Sequence, residues 1–227
     1  MIMALHELVP NHMWCAQQSL HFGPINIRTR MTVIRLRDGA LWVHSPIEPT
    51  PSLLAELSSL GEVRYVLAPN RTHHLFFRRF LKSFPQARGF VAPGLAQKVT
   101  DLSQYAVVPT PGPWQDELQS WFIDGLPVLS ETVWFHEDTG TLLLTDLLFC
   151  FGTNNTGLTK LVARFLGVYD RLGMSLTMKL MTKDKQALRR SIEPLLLLPV
   201  QRIVLSHDQI IEEQSTTRLK EAFEWLR

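Results

Sequence analysis

"VLAPNRTHHLFF", residues 66–77, runs from a short β-branched strand signal through Pro69-Asn70 into two adjacent histidines. Val66–Ala68 close the apolar segment VRYVLA (63–68), and Pro69, with no amide N–H, cannot extend a sheet ladder. His73 and His74 therefore stand just beyond a strand end, ahead of LFFRRFLKSFP (75–85), whose apolar spacing predicts a helix. Paired imidazoles in that place are either metal ligands or polar residues opening a helix. The stretch by itself leaves both open.

On its N-terminal side, MTVIRL (31–36) and ALWVHS (40–45) flank Asp38-Gly39 and predict a β-hairpin. Thr50-Pro51-Ser52 reads as a helix start, with LLAELSSLG (53–61) behind it and Gly61 as the stop. On the C-terminal side, ARGFVA (87–92) predicts a strand broken by Pro93-Gly94. A helix-length LAQKVTDL and the strand AVVP (106–109) follow. SWFIDG, ETVWFHED and TLLLTDLLF are strand-like, the last two joined at Thr139-Gly140. Helices are predicted over 158–173 and 184–198, a strand over RIVLS (202–206), and an amphipathic helix over TRLKEAFEWLR at the C-terminus. Strands with helices outside them predict an α/β (α+β) chain, an αββα sandwich of two mixed sheets flanked by helices. One domain over 1–227 is expected, with 150–183 as a helical cap over the pocket; Met174, Met178 and Met181 there either line an apolar cavity or pack into the core, and packing is the reading favoured for methionines.

Composition bounds the function. Hydrophobic residues make up 45% and charged residues 19%, a globular balance. A net charge of +2 gives no footprint for nucleic acid, and the basic clusters Arg28/Arg30 and Arg78/Arg79/Lys82 read as solvated faces. No glycine-rich phosphate loop and no G-x-S-x-G elbow occurs. Cys15 and Cys150 stand far apart, the N-terminus lacks a basic leader, and no apolar run approaches the ~20 residues of a membrane span. A cytoplasmic protein with no membrane and no nucleic-acid partner is expected; its small-molecule ligand and oligomeric state are not legible.

Three polar insertions end apolar strands: Asn70 with His73 and His74, Asp146 in TLLLTDLLF, and His207 after RIVLS. Loops on a rigid scaffold are where binding residues concentrate. Imidazole and carboxylate together suit Zn, Fe or Mn. Each insertion also has a plainer reading. His73-His74 can open a helix, Asp146 can tie down backbone N–H groups, and His207-Asp208 can form a turn and helix cap.

Taken together, "RMTVIRLRDGALWVHSPI", "VLAPNRTHHLFF", "FPQARGFVAPGL", "ETVWFHEDTGTLLLTDLLF" and "IVLSH" resemble the metallo-β-lactamase superfamily, and most of all an uncharacterised domain-of-unknown-function family within it. The resemblance covers roughly residues 28–207. It implies the fold above and a ligand set built from an H-x-H-x-D-H loop, an aspartate after a hairpin strand and a late histidine. Asp146 and His207 match ligand positions. With His73-His74 laid over the D-H pair, Pro69 and Arg71 occupy the two preceding histidine positions, and Leu126 falls near a third. The resemblance thus implies either an incomplete, mononuclear hydrolase or a non-catalytic relative. In the first, His73, His74, Asp146 and His207 hold one Zn, Fe or Mn ion, Asn70 and Asp146 act in catalysis, and Glu131, His136 and Arg71 are further site candidates. In the second there is no ion, and the pocket binds a small molecule or a protein.

Overall fold

Residues 4–22 and 25–227 are described by the structure, a computed structural model. The strands form two mixed sheets. The first holds β1 (His6–Val9), β2 (Met13–Phe22), β3 (Ile25–Arg35), β4 (Leu41–His44), β5 (Val63–Ala68), β6 (Arg88–Val91) and β7 (Ala106–Val107) in chain order. Its pairs are antiparallel up to β4 and parallel from β4 to β7. The second, in spatial order, holds β12 (Ile210–Ile211), β11 (Arg202–Leu205), β10 (Thr141–Leu144), β9 (Thr132–His136) and β8 (Leu118–Phe122), with only β10 and β11 parallel.

Period-two alternation sorts the side chains into three apolar layers. Trp42, Leu67, Trp134, Leu143 and Val204 point between the sheets. Val43, Val66 and Val91 point outward against α1 (Pro51–Leu60), α2 (Phe77–Ser83) and α3 (Leu95–Lys98). Phe135, Leu142, Leu144, Ile203 and Leu205 meet α6 (Lys185–Ile192) and α7 (Ser215–Ala222) on the opposite outer face. Burial on both faces explains why TLLL and RIVL are continuous apolar runs rather than alternating ones. The αββα arrangement is the one predicted.

Several elements differ from expectation. The predicted helix 75–85 is helical only over Phe77–Ser83, and 158–173 only over α4 (Gly157–Phe165), which ends before Gly167. TLLLTDLLF leaves the sheet at Leu144, so Thr145–Leu148 form a loop. Segment 150–183 carries α4 and α5 (Leu176–Met181), and isolated bridges Phe149–Gly173 and Phe151–Tyr169 fold its first part back on itself. Met174 packs in the core, whereas Met181 is exposed. Among the described residues, no helix is long and apolar enough to cross a membrane.

The layer between the sheets also holds two buried histidines. His44 stacks on Trp42 and meets Trp134 edge-on, and its imidazole is pushed down to about 3 by burial, then by the nearby His73. His136, bonded through Nδ1 to Thr139 Oγ1 at 2.8 Å, is pushed down to about 4, again chiefly by burial. The unfolded chain takes up both protons near pH 6.5, while the folded chain resists until about pH 4 and below. Stability is therefore fully present above pH ~6.5 and falls as pH drops toward 4, with a slope approaching about 1.4 kcal/mol per pH unit for each histidine. Urea melts across pH 7 to 4.5 should show this decline, and His136→Gln should reduce its slope by roughly half. An unchanged slope in that variant would remove His136 as a cause.

Candidate metal centre

Loops from both sheets meet at one end of the sandwich, and a single buried amide joins them. Asn70 is fully buried just past β5. Its Nδ2 donates to Glu131 Oε2 (3.0 Å), Thr145 Oγ1 (3.0 Å) and Asp146 Oδ2 (2.9 Å). Its Oδ1 accepts from the backbone N–H groups of Thr72 (2.9 Å) and His73 (2.8 Å), an Asx-type turn that curls the loop back over the strand end. That turn aims His73 inward.

Glu131 lies beneath, fully buried, and accepts from the backbone N–H groups of Thr145 and Asp146, each at 2.8 Å. Burial first, then the neighbouring Asp146 carboxylate, raises its pKa. Asp146 sits above it. Burial opposes its charge, but the imidazoles of His73 and His207 outweigh that and hold its carboxyl well below the usual range. The same carboxylate overcomes the effect of burial at His73 and raises that imidazole's pKa.

His207 is placed by β3. His207 Nδ1 donates to the Arg28 carbonyl (2.9 Å), while Arg30 N–H donates to Ser206 O (2.7 Å). Arg30, expected on a solvated face, is instead 4% exposed, and its guanidinium binds the carbonyls of Leu205, Asp208 (2.6 Å) and Gln209 (3.2 Å). Arg28 pairs with Asp208, whose other oxygen accepts from Gly152 N–H (2.8 Å) and Asn155 Nδ2 (2.7 Å). Ser45, Ser130 and Asp208 have positive φ (53°, 47° and 57°), uncommon for residues with a side chain; Ser45 bonds to His73, and the other two adjoin Glu131 and His207. Backbone strain of this kind gathers where a site must be held in one geometry.

The outcome is a triad. His73 Nε2 lies 3.1 Å from His207 Nε2 and 3.4 Å from Asp146 Oδ2; His207 Nε2 lies 3.0 Å from Asp146 Oδ1. Ligand atoms of these three residues all fall within 4.8 Å of one another, the spacing of a shared cation. Tetrahedral zinc with bonds of about 2.0 Å spaces its ligands by about 3.3 Å.

The other expected residues are not in the triad. His74 lines the cleft half-buried, its pKa lowered by burial and then by Lys98. Glu131 adjoins the triad, but its oxygens are taken by backbone N–H groups and Asn70. Arg71 turns aside, with one guanidinium nitrogen donating to Pro127 O (3.1 Å). His136 ends β9, remote from Glu131 along the strand, and falls in a separate cluster with Glu117 and Asp138, where Arg37 already binds Asp138 (2.7 Å). Ser45, whose Oγ shares a 2.7 Å hydrogen bond with His73 Nδ1, escaped sequence reading, as did Arg30; neither carries a local signal of its role.

Two mixed sheets, helices outside them and a three-loop cluster at one edge define the metallo-β-lactamase fold. The chain aligns with a metallo-beta-lactamase from Pontibacter korlensis at a TM-score of 0.66 and 11% identity, over 97% of this chain and 98% of that one. A second, from Hirschia baltica, aligns at 0.64 and 9%, over 97% and 98%. The Flv1 flavodiiron core from Synechocystis sp. PCC6803 aligns at 0.62 and 12%, over 98% of this chain and 61% of that one. At these identities the likeness is one of fold. No curated protein matches the chain. Within the fold, the chain belongs to the family described as Domain of unknown function (DUF4336), which matches residues 10–171 and so takes in Asn70, His73 and Asp146.

Because one amide serves two buried carboxylates, Asn70→Ala should lower stability by about 2–4 kcal/mol in urea melts at neutral pH. Asn70→Asp, nearly isosteric, places a third carboxylate beside the other two and should cost more than alanine at pH 7 but less at pH 5. A wild-type midpoint for Asn70→Asp would show that the network does not carry this load.

Proposed function

We propose that the chain is a mononuclear metal-dependent hydrolase, with His73 Nε2, Asp146 and His207 Nε2 as the ligands of one Zn, Fe or Mn ion. One observation carries the reading. A carbonyl oxygen can only accept, so the Arg28 carbonyl fixes the proton of neutral His207 on Nδ1. Its Nε2 then presents a lone pair to the Asp146 carboxylate at 3.0 Å, and His73 Nε2 adds a third donor atom at 3.1 Å. Three electron-rich atoms at such distances favour a positive charge among them, which a metal ion supplies on this reading.

The supporting residues suit that role. Ser45 holds His73 Nδ1, which leaves Nε2 as the ligand atom. Asn70 and the Thr72 hydroxyl bind Asp146 Oδ2 and fix the carboxylate plane. A bound divalent ion supplies Lewis acidity and a water pKa near 7. Asp146 is the carboxylate that lines the cleft.

A second reading has its own support. His207 as an imidazolium would satisfy the same contacts without an ion, and three superfamily ligand positions hold Pro69, Arg71 and Leu126. On that reading the chain is a non-catalytic relative whose cleft binds a ligand.

Elemental analysis of the purified protein separates them. About one equivalent of a transition metal is expected, falling below a tenth in Asp146→Asn and His207→Ala and unchanged in Glu117→Gln, which alters only the cluster around His136. Chelation should lower the melting temperature by about 5–10 °C, reversed by adding the metal back. Less than a tenth of an equivalent in wild type, with no chelator effect, would establish the second reading.

A further inference from the structure

Building on the proposed metal centre, we infer that the cleft takes a neutral acyl compound with a hydrocarbon chain, an ester or lactone, rather than an anionic substrate. The cleft has a volume of about 440 Å³, within the ~300–1,000 Å³ of small-molecule sites. Leu20, Ile27, Leu75, Phe149, Phe151 and Met178 form its walls. Phe149 stacks on His207 (centroids 5.7 Å, planes 10° apart), and Phe151 stacks on Phe149 (6.3 Å, 8°). An apolar wall thus begins at one proposed ligand and leads away from it. Polar groups are concentrated around the triad.

Charge decides against an anion. Among the described residues no lysine or arginine lines the cleft. The basic side chains nearby are committed elsewhere: Arg28 to Asp208, Arg30 to three carbonyls, Arg71 to Pro127 O, and Lys98 to Arg71 O (2.8 Å). Apart from the proposed ion, whose charge Asp146 already partly offsets, a phosphodiester or carboxylate entering this cleft would shed its hydration with no guanidinium or ammonium to receive it. A hydrocarbon chain sheds only water that is better released. For an ester, the oxygen of water bonds to the carbonyl carbon, the acyl C–O bond breaks, and the proton of water ends on the leaving alkoxide. The sum needs no oxidant, reductant or further reactant.

Calorimetry on metal-loaded protein tests this with two hydroxamates sharing one head group. Octanohydroxamate should bind at least about 100-fold more tightly than acetohydroxamate, since six further methylenes are buried. Leu75→Lys and Met178→Lys, on the rim and wall, should cut that ratio below about tenfold with metal content unchanged. Equal affinities, or tighter binding of phenyl phosphate than of octanohydroxamate, would overturn the inference. Displacement of Nile red from metal-stripped protein reads the cleft alone, and 1-octanol should displace it at concentrations at least about 30-fold below 1-butanol. Chain-length preference in a protein that never holds metal would defeat the metal reading and leave the apolar specificity standing; its absence in metal-loaded protein would defeat the specificity and leave the metal.

Discussion

Two carboxylates buried within one hydrogen-bond network set the terms for this end of the molecule. Glu131 and Asp146 come from the loops bounding β9 and β10, and neither faces a lysine or arginine. Burying a carboxylate is costly unless donors surround it. Here the donors are backbone N–H groups, one threonine hydroxyl and one asparagine amide, with the imidazoles of His73 and His207 set against Asp146. Every one has a prescribed position, so the carboxylates dictate the paths of the loops that supply them. The loop after β5 must present Asn70 and Thr72, and the turn that achieves this points His73 toward Asp146. The triad is a consequence of solving the burial problem rather than a separate feature placed upon it.

The same economy joins the sheets. Thr132 N–H donates to Pro69 O (3.1 Å), tying the start of β9 to the end of β5. Across the cleft, β3 reaches the loop after β11 through Arg28 and Arg30. A buried guanidinium with three carbonyl acceptors is more rigid than a surface ion pair, because its planar fork offers fixed directions and low-dielectric surroundings strengthen each bond. Its cost is desolvation, which lowers Arg30 to about 10 while leaving it charged at neutral pH. Holding His207 from both sides, by Asp146 in front and Arg28 O behind, gives that imidazole one tautomer and one orientation.

How far the sequence discloses this depends on where each constraint resides. Strands buried on both faces write themselves as unbroken apolar runs, which is why TLLL and RIVL, and the polar residues that end them, were legible. The long β2–β3 hairpin was not foreseen in β2, where Gln17, Gln18, Ser19 and His21 interrupt any clean alternation and cross-strand pairing supplies the order. The choice between His73 and His74 is made by two backbone hydrogen bonds to Asn70 Oδ1, a matter of turn geometry rather than residue type. Arg30 and Ser45 looked ordinary because their partners are backbone carbonyls and a histidine distant in the chain. Glu131 was visible as a carboxylate near the site, yet its engagement by two N–H groups, which turns it from ligand to support, exists only in three dimensions.

The departures from the superfamily's ligand pattern have a structural counterpart. Leu126 is 1% exposed, packed among the residues behind the second sheet. Arg71 N–H donates to Leu129 O (2.9 Å) and its guanidinium to Pro127 O. Arg71 therefore draws the 126–130 loop and the 69–72 loop together, while Leu126 packs behind the second sheet. The Arg71 side chain ties two loops together rather than offering a donor atom to the triad, and Pro69 and Leu126 carry no side-chain donor. Arg71→His would remove the guanidinium bond to Pro127 O but keep the backbone bond to Leu129 O, so the path of the 69–72 loop would still be set by the main chain. The triad of His73, Asp146 and His207 is thus bordered on its Arg71 side by hydrogen-bonded backbone rather than by further donor side chains.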